Sequence, residues 1–302
     1  MCLSLFVFMP GKLGKSEGLL LSVVSSAVSA AVMNAIRGPF TRIKIILQTQ
    51  EELVRTGRLL VPFSGILDCF RFVVAEEGYA GLWRGVLYSV LSVVPTQILN
   101  FLLRDRIRKT FKTSPEDSYG KCLAYNTLSG VVVDSVGLLA SYPFDVVRVK
   151  LAADIANSSL GIARQYSGYM NCLKQIVANE GITGLYKGYC VSIAGIAVYR
   201  FTYFAFYDLF ASLDLGKDSV FIKFIIGYTT TVLANVCSYP MDTIHKRMIV
   251  ASGPFRYAST FHAARTIGVH AYSSFFNVSG LNLLSGMICS GLFTLFSILR
   301  PQ

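Results

Sequence analysis

The sequence has few charged residues and few of the residues that build metal sites or disulfide frameworks. Charged residues make up 15% of its 302 residues and hydrophobic residues 53%, a balance that excludes an ordinary soluble domain. Its three histidines and seven cysteines are scattered without a C-x-x-C pair, which argues against a zinc site or a disulfide framework. We find no P-loop, no G-x-S-x-G motif and no paired acids with a supporting histidine. We therefore expect no enzyme activity, no cofactor and no metal site.

Long apolar stretches take the place of these motifs. A helix needs roughly 20 mostly apolar residues to span a bilayer, and the candidate stretches occupy residues 18–48, 86–109, 122–152, 188–212, 219–250 and 278–298. Several are interrupted by proline or by charges, which is typical of kinked helices around a cavity and not of simple lipid anchors. The sequence therefore predicts an all-α membrane protein.

The net charge of +11 favours contact with anionic lipid headgroups or with an anionic solute. The first residues, MCLSLFVFMPGKLGKS, have an apolar run before their lysines. This order is the reverse of a secretory signal, and the run is too short to span a membrane. We interpret residues 1–17 as a tail outside the helical bundle.

Three related units follow one another along the chain. The stretches FSGILDCFRFVVAEEGYAGLWRG (63–85) and YSGYMNCLKQIVANEGITGLYKG (166–188) align without a gap, which indicates a repeat. Each unit contains a long helix with a proline motif, a short amphipathic helix and a second long helix. The third unit has its proline motif at Pro240. The segment after that motif lacks the Glu-Gly and basic-Gly pairs of the other two units. The predicted repeats occupy residues 18–112, 113–214 and 215–302.

The repeat pattern resembles the mitochondrial carrier family. Members of that family have three repeats of about 100 residues. Each repeat has a P-x-[DE]-x-x-[KR] motif on its odd-numbered helix, followed later by Glu-Gly and basic-Gly pairs, and this sequence is similar in these features. Longer stretches resemble its ADP/ATP carrier branch: PTQILNFLLRDRIRKTF (95–111), LAAD (151–154), GLYKGYCVSIAGIAVYRFTYFAFYDL (184–209) and SYPMDT (238–243).

The resemblance implies a three-fold pseudo-symmetric bundle of six transmembrane helices with short amphipathic helices on the matrix side. Such a protein is a multi-pass protein of the mitochondrial inner membrane, and its central solute cavity opens alternately to either side. The family also binds cardiolipin where helix N-termini suit a phosphate. In this sequence the corresponding residues are Arg84, Gly85, Lys187 and Gly188. The alternative is that the two basic residues only mark the membrane interface.

Family geometry pairs the acid of one proline motif with the base of the next, which closes the matrix side. The implied pairs are position 41 with Arg148, Asp145 with His245, and Asp242 with Lys44. Only the last is complete, because Thr41 is uncharged and a histidine of ordinary pKa, about 6.5, is mostly neutral near neutral pH. Gln48 lies one turn after Lys44, where it would brace the pair. The predicted matrix gate therefore comprises Lys44, Gln48, Asp145, Arg148, Asp242 and His245, and the cytoplasmic gate retains Asp105, Arg108 and Asp208.

The central cavity has lost charge relative to the family branch. The three basic residues with which ADP/ATP carriers hold phosphates fall at Asn34, Ser92 and Ser285, none of which is charged. The residues that would still contact a solute are Arg37, Asn100, Gly195, Ile196, Tyr199 and Arg200. Asp134, an acid within an apolar helix, is either a functional acid that faces the cavity or a structural acid paired with a neighbouring helix or subunit.

Two hypotheses about function follow. In the first, the chain is a transport-deficient carrier homologue that serves as a structural or accessory subunit of a larger inner-membrane complex, such as a respiratory or ATP synthase complex, with cardiolipin as bound lipid. In the second, it is an active exchanger of ADP/ATP or a related metabolite with an altered binding site. Neither hypothesis involves nucleic acid.

Overall fold

The computed structural model describes residues 17–85, 119–212 and 220–251, with isolated positions between 88 and 103 and between 257 and 267. Within these ranges the longer helices are α1 (Glu17–Arg55), α2 (Ile66–Gly81), α3 (Tyr119–Ala153), α4 (Tyr169–Glu180), α5 (Tyr189–Ser212) and α6 (Val220–Val250). Two short 3-10 helices lie at Ser158–Leu160 and Ile182–Tyr186. The all-α fold class is confirmed. The predicted tail and the predicted stretch 278–298 lie outside the described residues, as does most of 86–109.

The long helices contain the prolines that the sequence predicts to interrupt them. Two described helical stretches, Leu123–Ala153 and Ile182–Phe210, are long and apolar enough to cross a membrane. Helices α1, α3 and α6 continue through Pro39, Pro143 and Pro240 respectively. These three helices contact one another in every pairwise combination, and α5 packs against α3 and α6. The three proline motifs therefore lie around one shared axis.

The short helices of the first two units share a burial pattern with the described residues between 257 and 267. Equivalent positions on their inner side are buried in all three repeats: Cys69, Cys172 and Ala263. Equivalent positions at the first turn are exposed, at 70%, 66% and 80%: Leu67, Met170 and Phe261. Burial raises the pKa of the Cys69 and Cys172 thiols to about 12, so both remain protonated and act as small apolar side chains. An amphipathic helix with an exposed apolar residue suits a membrane interface.

The only tryptophan of the chain contacts α1 next to Pro39. Pro39 has no backbone N–H, so the carbonyl of Ala35, four residues earlier, has no partner within the helix. The indole N–H of Trp83 donates a hydrogen bond to this carbonyl, with an Nε1 to O distance of 2.7 Å. Trp83 follows α2 in sequence. It therefore connects the short helix of the first repeat to the kink of the long helix.

The Glu-Gly motifs are anchored by buried bases, but in two different registers. In the second repeat Lys150, seven residues after Pro143, lies 2.9 Å from a carboxylate oxygen of Glu180. In the first repeat the equivalent position is Ile46, and the base is Arg42, one helical turn earlier, at 2.7 Å from Glu77. Burial alone would raise the pKa of Glu77, but the hydrogen bond and the charge of Arg42 hold that pKa below its ordinary value.

Asp154 joins the first repeat to the second. This carboxylate is 3% exposed and lies 2.5 Å from Arg58 and 2.9 Å from Arg84, both in the first repeat. It also accepts backbone hydrogen bonds from the N–H groups of Gln165 and Tyr166. A buried carboxylate with several charge-assisted partners fixes the segments that carry them. The loop after α3 is thereby held against the end of α2.

We expect Trp83→Phe to lower the stability of the detergent-solubilised protein. The change keeps an aromatic ring but leaves the Ala35 carbonyl without its donor, which costs about 1 kcal/mol for a bond of this kind. The measurement is the thermal unfolding midpoint. Tyr186→Phe is the matched control, because Tyr186 occupies the equivalent position of the second repeat and its ring stacks on Tyr142. Equal midpoints for the two variants would contradict the role given to the indole N–H.

Candidate functional site

The predicted contact between Asp242 and Lys44 is formed. Lys44 Nζ on α1 lies 3.3 Å from Asp242 Oδ2 on α6. The same oxygen also accepts a hydrogen bond from Lys246 Nζ, at 2.7 Å. Two cations thus share one carboxylate. Lys246 was not identified from the sequence, although its position four residues after Asp242 on a helix is the spacing at which such pairs form.

Gln48 lies where the sequence places a brace. Its amide nitrogen donates to Asp242 Oδ2 at 3.2 Å and to Thr243 Oγ1 at 3.2 Å. Its amide oxygen accepts a hydrogen bond from Lys246 Nζ at 2.9 Å. The side chain is completely buried. Gln48 therefore connects the acid and the second base of α6 to α1, and its role in a transport cycle stays a prediction.

One more base joins α1 to α6. Arg247, 1% exposed, donates from Nε to the backbone carbonyl of Gln48 at 2.9 Å and forms an ion pair with Glu51. Because the backbone carbonyl of a helix normally serves its own helix, this contact requires close approach of the two helices. The end of the bundle that carries the proline motifs is therefore tightly packed between α1 and α6.

The pair between Asp145 and His245 that family geometry implies is not among the ion pairs of the described residues. Asp145 instead lies 3.3 Å from Arg148, three residues later on its own helix. His245 is 9% exposed, and its Nε2 atom has no hydrogen-bond partner among the described residues. Its ring lies 5.9 Å from the ring of Tyr142. The sequence already indicates that this pair is incomplete, because an imidazole carries no fixed charge, whereas the arginine three residues after Asp145 does. Thr41 forms no ion pair, because its side chain is uncharged.

Asp134 pairs with a neighbouring helix, as one of the alternatives left open by the sequence predicts. Its Oδ2 atom on α3 accepts hydrogen bonds from Arg200 on α5, at 2.8 Å from Nε and 2.5 Å from Nη2. Arg200 is one of the residues predicted to contact a solute. The signal in the sequence was the presence of one acid and one base in two apolar helices, since charges in such helices usually pair.

The remaining predicted solute contacts on α5 lie at helix packing interfaces. Gly195, Ile196 and Tyr199 are all buried, and a Cβ atom on Gly195 would lie 3.3 Å from Met241 on α6. The ring of Tyr199 stacks on Tyr203 at 6.1 Å, the first step of an aromatic stripe along the helix. The structure brings these residues together on adjacent turns. Their contact with a solute stays a prediction.

The cavity positions on the other helices are only partly described. Asn34 and Arg37 on α1 are half-buried, as is Ser92. Asn100, Ser285, Asp105 and Arg108 lie outside the described residues. Asp208, on α5, is half-buried. Among the residues that the structure describes, no group of three or more histidine, cysteine or acidic side chains could hold a metal ion.

The two basic residues at the predicted lipid positions are engaged within the protein. Arg84 lies 2.9 Å from Asp154. Lys187 lies 3.5 Å from Glu180 and donates a 2.7 Å hydrogen bond to the carbonyl of Ala251, just after α6. Both side chains therefore stabilise the helix ends around them. Cardiolipin binding stays a prediction, and it would depend on backbone amides more than on these two cations.

The glycines that follow these bases are required by the backbone. Gly85 and Gly188 have φ angles of 87° and 81°, a region that other residues rarely adopt. A Cβ atom on Gly85 would lie 3.1 Å from the backbone oxygen of Arg148, and one on Gly188 would lie 3.3 Å from His245 and from Tyr142. Both glycines thus allow the turn before a long helix to approach a neighbouring helix closely.

Comparison with known proteins identifies the relatives of this chain. The family model described as "Mitochondrial carrier protein" matches residues 15–115 and 121–215, more than half of the sequence. The chain is 38% identical over 279 residues to the ADP,ATP carrier protein of Neurospora crassa, covering 90% of this chain and 89% of that protein. It is 35% identical over 291 residues to the ADP,ATP carrier protein of Kluyveromyces lactis, covering 95% of each. It is 36% identical over 293 residues to ADP,ATP carrier protein 2, mitochondrial, of Arabidopsis thaliana, covering 95% of this chain and 76% of that protein.

We expect Asp242→Asn to destabilise the protein more than Asp145→Asn, the same change at the equivalent position of the second repeat. The first change leaves the ammonium of Lys246, 9% exposed, without a carboxylate, at a cost of about 1–3 kcal/mol. The second change removes a partly exposed pair within one helix, worth less than about 1 kcal/mol. Thermal unfolding midpoints of the two variants provide the comparison, and the reverse order would contradict the assignment.

Proposed function

Because the chain belongs to the mitochondrial carrier family, we propose that it is a multi-pass protein of the mitochondrial inner membrane that does not exchange ADP for ATP. In this proposal it serves as a structural or accessory subunit of a larger inner-membrane complex, such as a respiratory or ATP synthase complex. Cardiolipin is the proposed bound lipid. The proposal adds to the carrier fold a role that the names of the relatives, ADP,ATP carrier proteins, do not state.

The low charge at the positions aligned with the family's phosphate contacts is what carries this proposal. Nucleoside diphosphates and triphosphates carry several negative charges, and their binding in a partly dry cavity needs several cations. Two of the aligned cavity positions are the uncharged residues Asn34 and Ser92. The guanidinium of Arg200 is neutralised by Asp134 at 2.5 Å. Strong attraction for a nucleotide is therefore not expected.

The distribution of intact contacts supports a structural role. The contacts that join one repeat to the next are present, including Arg84 with Asp154, and so is the contact of Arg42 with Glu77 within the first repeat. By contrast, one of the three predicted gate pairs is formed, and Asp145 pairs within its own helix. A transport cycle requires gates that close and open, whereas an assembled subunit requires only a stable fold. Among the described residues, the contacts that stabilise the fold are more complete than the contacts expected of a gate.

Migration of the native protein in mild detergent tests the accessory role. We expect the chain, 33.1 kDa by itself, to travel with a much larger complex when native membranes are solubilised gently and separated by size. A strongly dissociating detergent is the control, and it should release the chain at its own size. Migration as a free monomer under the mild conditions would contradict the accessory role.

The second candidate function is exchange of a solute that is less anionic than ATP. The observation that favours it is the complete network of Lys44, Gln48, Asp242 and Lys246. An ion pair with a bracing amide can close one side of a carrier and still open, since a pair at about 4 Å is worth up to about 4 kcal/mol at an effective dielectric of 20. Arg37 would supply a cation for the solute in this reading.

Solute-dependent thermal stability tests the exchange function. If the chain is an exchanger, a transported solute raises the unfolding midpoint of the purified protein, because a ligand that binds only the folded state stabilises it. Arg37→Ala is then expected to abolish the shift, whereas Arg71→Ala, on the exposed side of α2, leaves it unchanged. Absence of any shift across a panel of nucleotides and metabolites would argue against exchange.

A further inference from the structure

Asp134 and Arg200 form an ion pair between two apolar helices. The two residues are 66 positions apart and belong to the stretches Leu123–Ala153 and Ile182–Phe210, each long and apolar enough to cross a membrane. Two nitrogens of the guanidinium donate to one carboxylate oxygen, at 2.8 and 2.5 Å. The side chains of Asp134 and Arg200 are 15% and 23% exposed respectively. In such surroundings the two charges are screened less by solvent than a surface pair would be.

Gly130 provides the space in which the guanidinium lies. It stands one turn before Asp134 on α3, and a Cβ atom there would lie 3.0 Å from Nη1 and 3.2 Å from Cδ of Arg200. These separations are tighter than ordinary packing contacts, so a larger side chain would push the arginine away. Glycine within a helix costs up to about 1 kcal/mol relative to alanine. One turn of α3 thus supplies both the space for Arg200 and its counter-charge.

A guanidinium binds carboxylates and phosphates with the same planar set of donors. A carboxylate that is fixed to the protein competes with any phosphate of a solute for those donors. Because the competition is intramolecular, the carboxylate acts at a high effective concentration that a dissolved ligand rarely matches. A solute phosphate at this position would also meet the negative charge of Asp134, which repels it.

We propose that Asp134 is a specificity-determining residue whose carboxylate occupies the anion-binding donors of Arg200 and excludes solutes that carry phosphate groups. The proposal deepens the proposed function, since it rests on the weak attraction of the cavity for nucleotides and assigns much of that weakness to one residue. It applies equally if the chain exchanges a less anionic solute. Asp134 also accounts for the survival of a base in an otherwise weakly charged cavity, because removal of either partner would leave a buried charge unpaired.

Replacement of Asp134 by asparagine tests the proposal on the full-length protein in detergent. The variant Asp134→Asn keeps the shape of the side chain and an oxygen for Arg200 but removes the negative charge. The probes are ADP, inorganic phosphate and adenosine, each titrated while the thermal unfolding midpoint is followed. We expect ADP and phosphate to bind the variant at least about tenfold more tightly than the native chain. Adenosine, which has no phosphate, is expected to bind both equally.

Two control variants separate the local effect from the change in net charge. Asp68→Asn removes one negative charge from the exposed first turn of α2 and is expected to leave phosphate binding as in the native chain. The double variant Asp134→Asn with Arg200→Gln removes both partners and is expected to lose the gain. If Asp134→Asn does not yield folded protein, Asp134→Ser removes the same charge with a smaller side chain.

The outcomes distinguish this proposal from the proposed function. A folded Asp134 variant that binds ADP no more tightly than the native chain overturns the role of Asp134, whatever the native affinity is. A gain that persists without Arg200 also overturns it. If the native chain binds ADP and the variant binds ADP more tightly still, the role of Asp134 stands, and it is the proposed lack of nucleotide exchange that loses its support.

Discussion

A charge that is buried in an apolar helical bundle must find its counter-charge within the protein, and the rest of this structure depends on that constraint. Three of the helix contacts contain such a pair. Lys246 and Lys44 share Asp242, Arg42 holds Glu77, and Arg200 holds Asp134. Because an unpaired member would cost several kcal/mol, these pairs fix how the helices are rotated about their axes.

The same constraint explains why the first two repeats are similar in sequence but different in detail. Lys150 neutralises Glu180, and Arg42 neutralises Glu77. Counted from the proline of each long helix, Lys150 lies one turn later than Arg42. Charge neutralisation is satisfied in both repeats, and the helical register is what differs. Proline kinks add a second demand, since each one frees a backbone carbonyl. In the first repeat the indole of Trp83 meets that demand.

Fold and transport place different requirements on these charges. Pairs that join repeats must remain closed, whereas gate pairs and cavity cations must exchange partners during a cycle. Among the described residues the first class is well represented, and of the implied matrix gate pairs the one at Asp242 is complete. Asp105 and Arg108 of the predicted cytoplasmic gate lie outside the described residues. Arg200 pairs with Asp134 of α3, within the second repeat.

The sequence by itself determined the helical class, the repeated stretches and the position of a proline within each of α1, α3 and α6, because these features depend on local patterns of apolar runs, prolines and recurring spacing. The contact between Lys44 and Asp242 came from the geometry that the family resemblance implies. Only the tertiary structure decided that Asp134 pairs with Arg200, that Asp145 pairs with Arg148 and not with His245, and that Arg84 and Lys187 point to acids and carbonyls inside the protein. The physical reason is that several partners lie within reach of each charge along the sequence. The choice among them depends on the rotation and axial position of neighbouring helices, which no local pattern records.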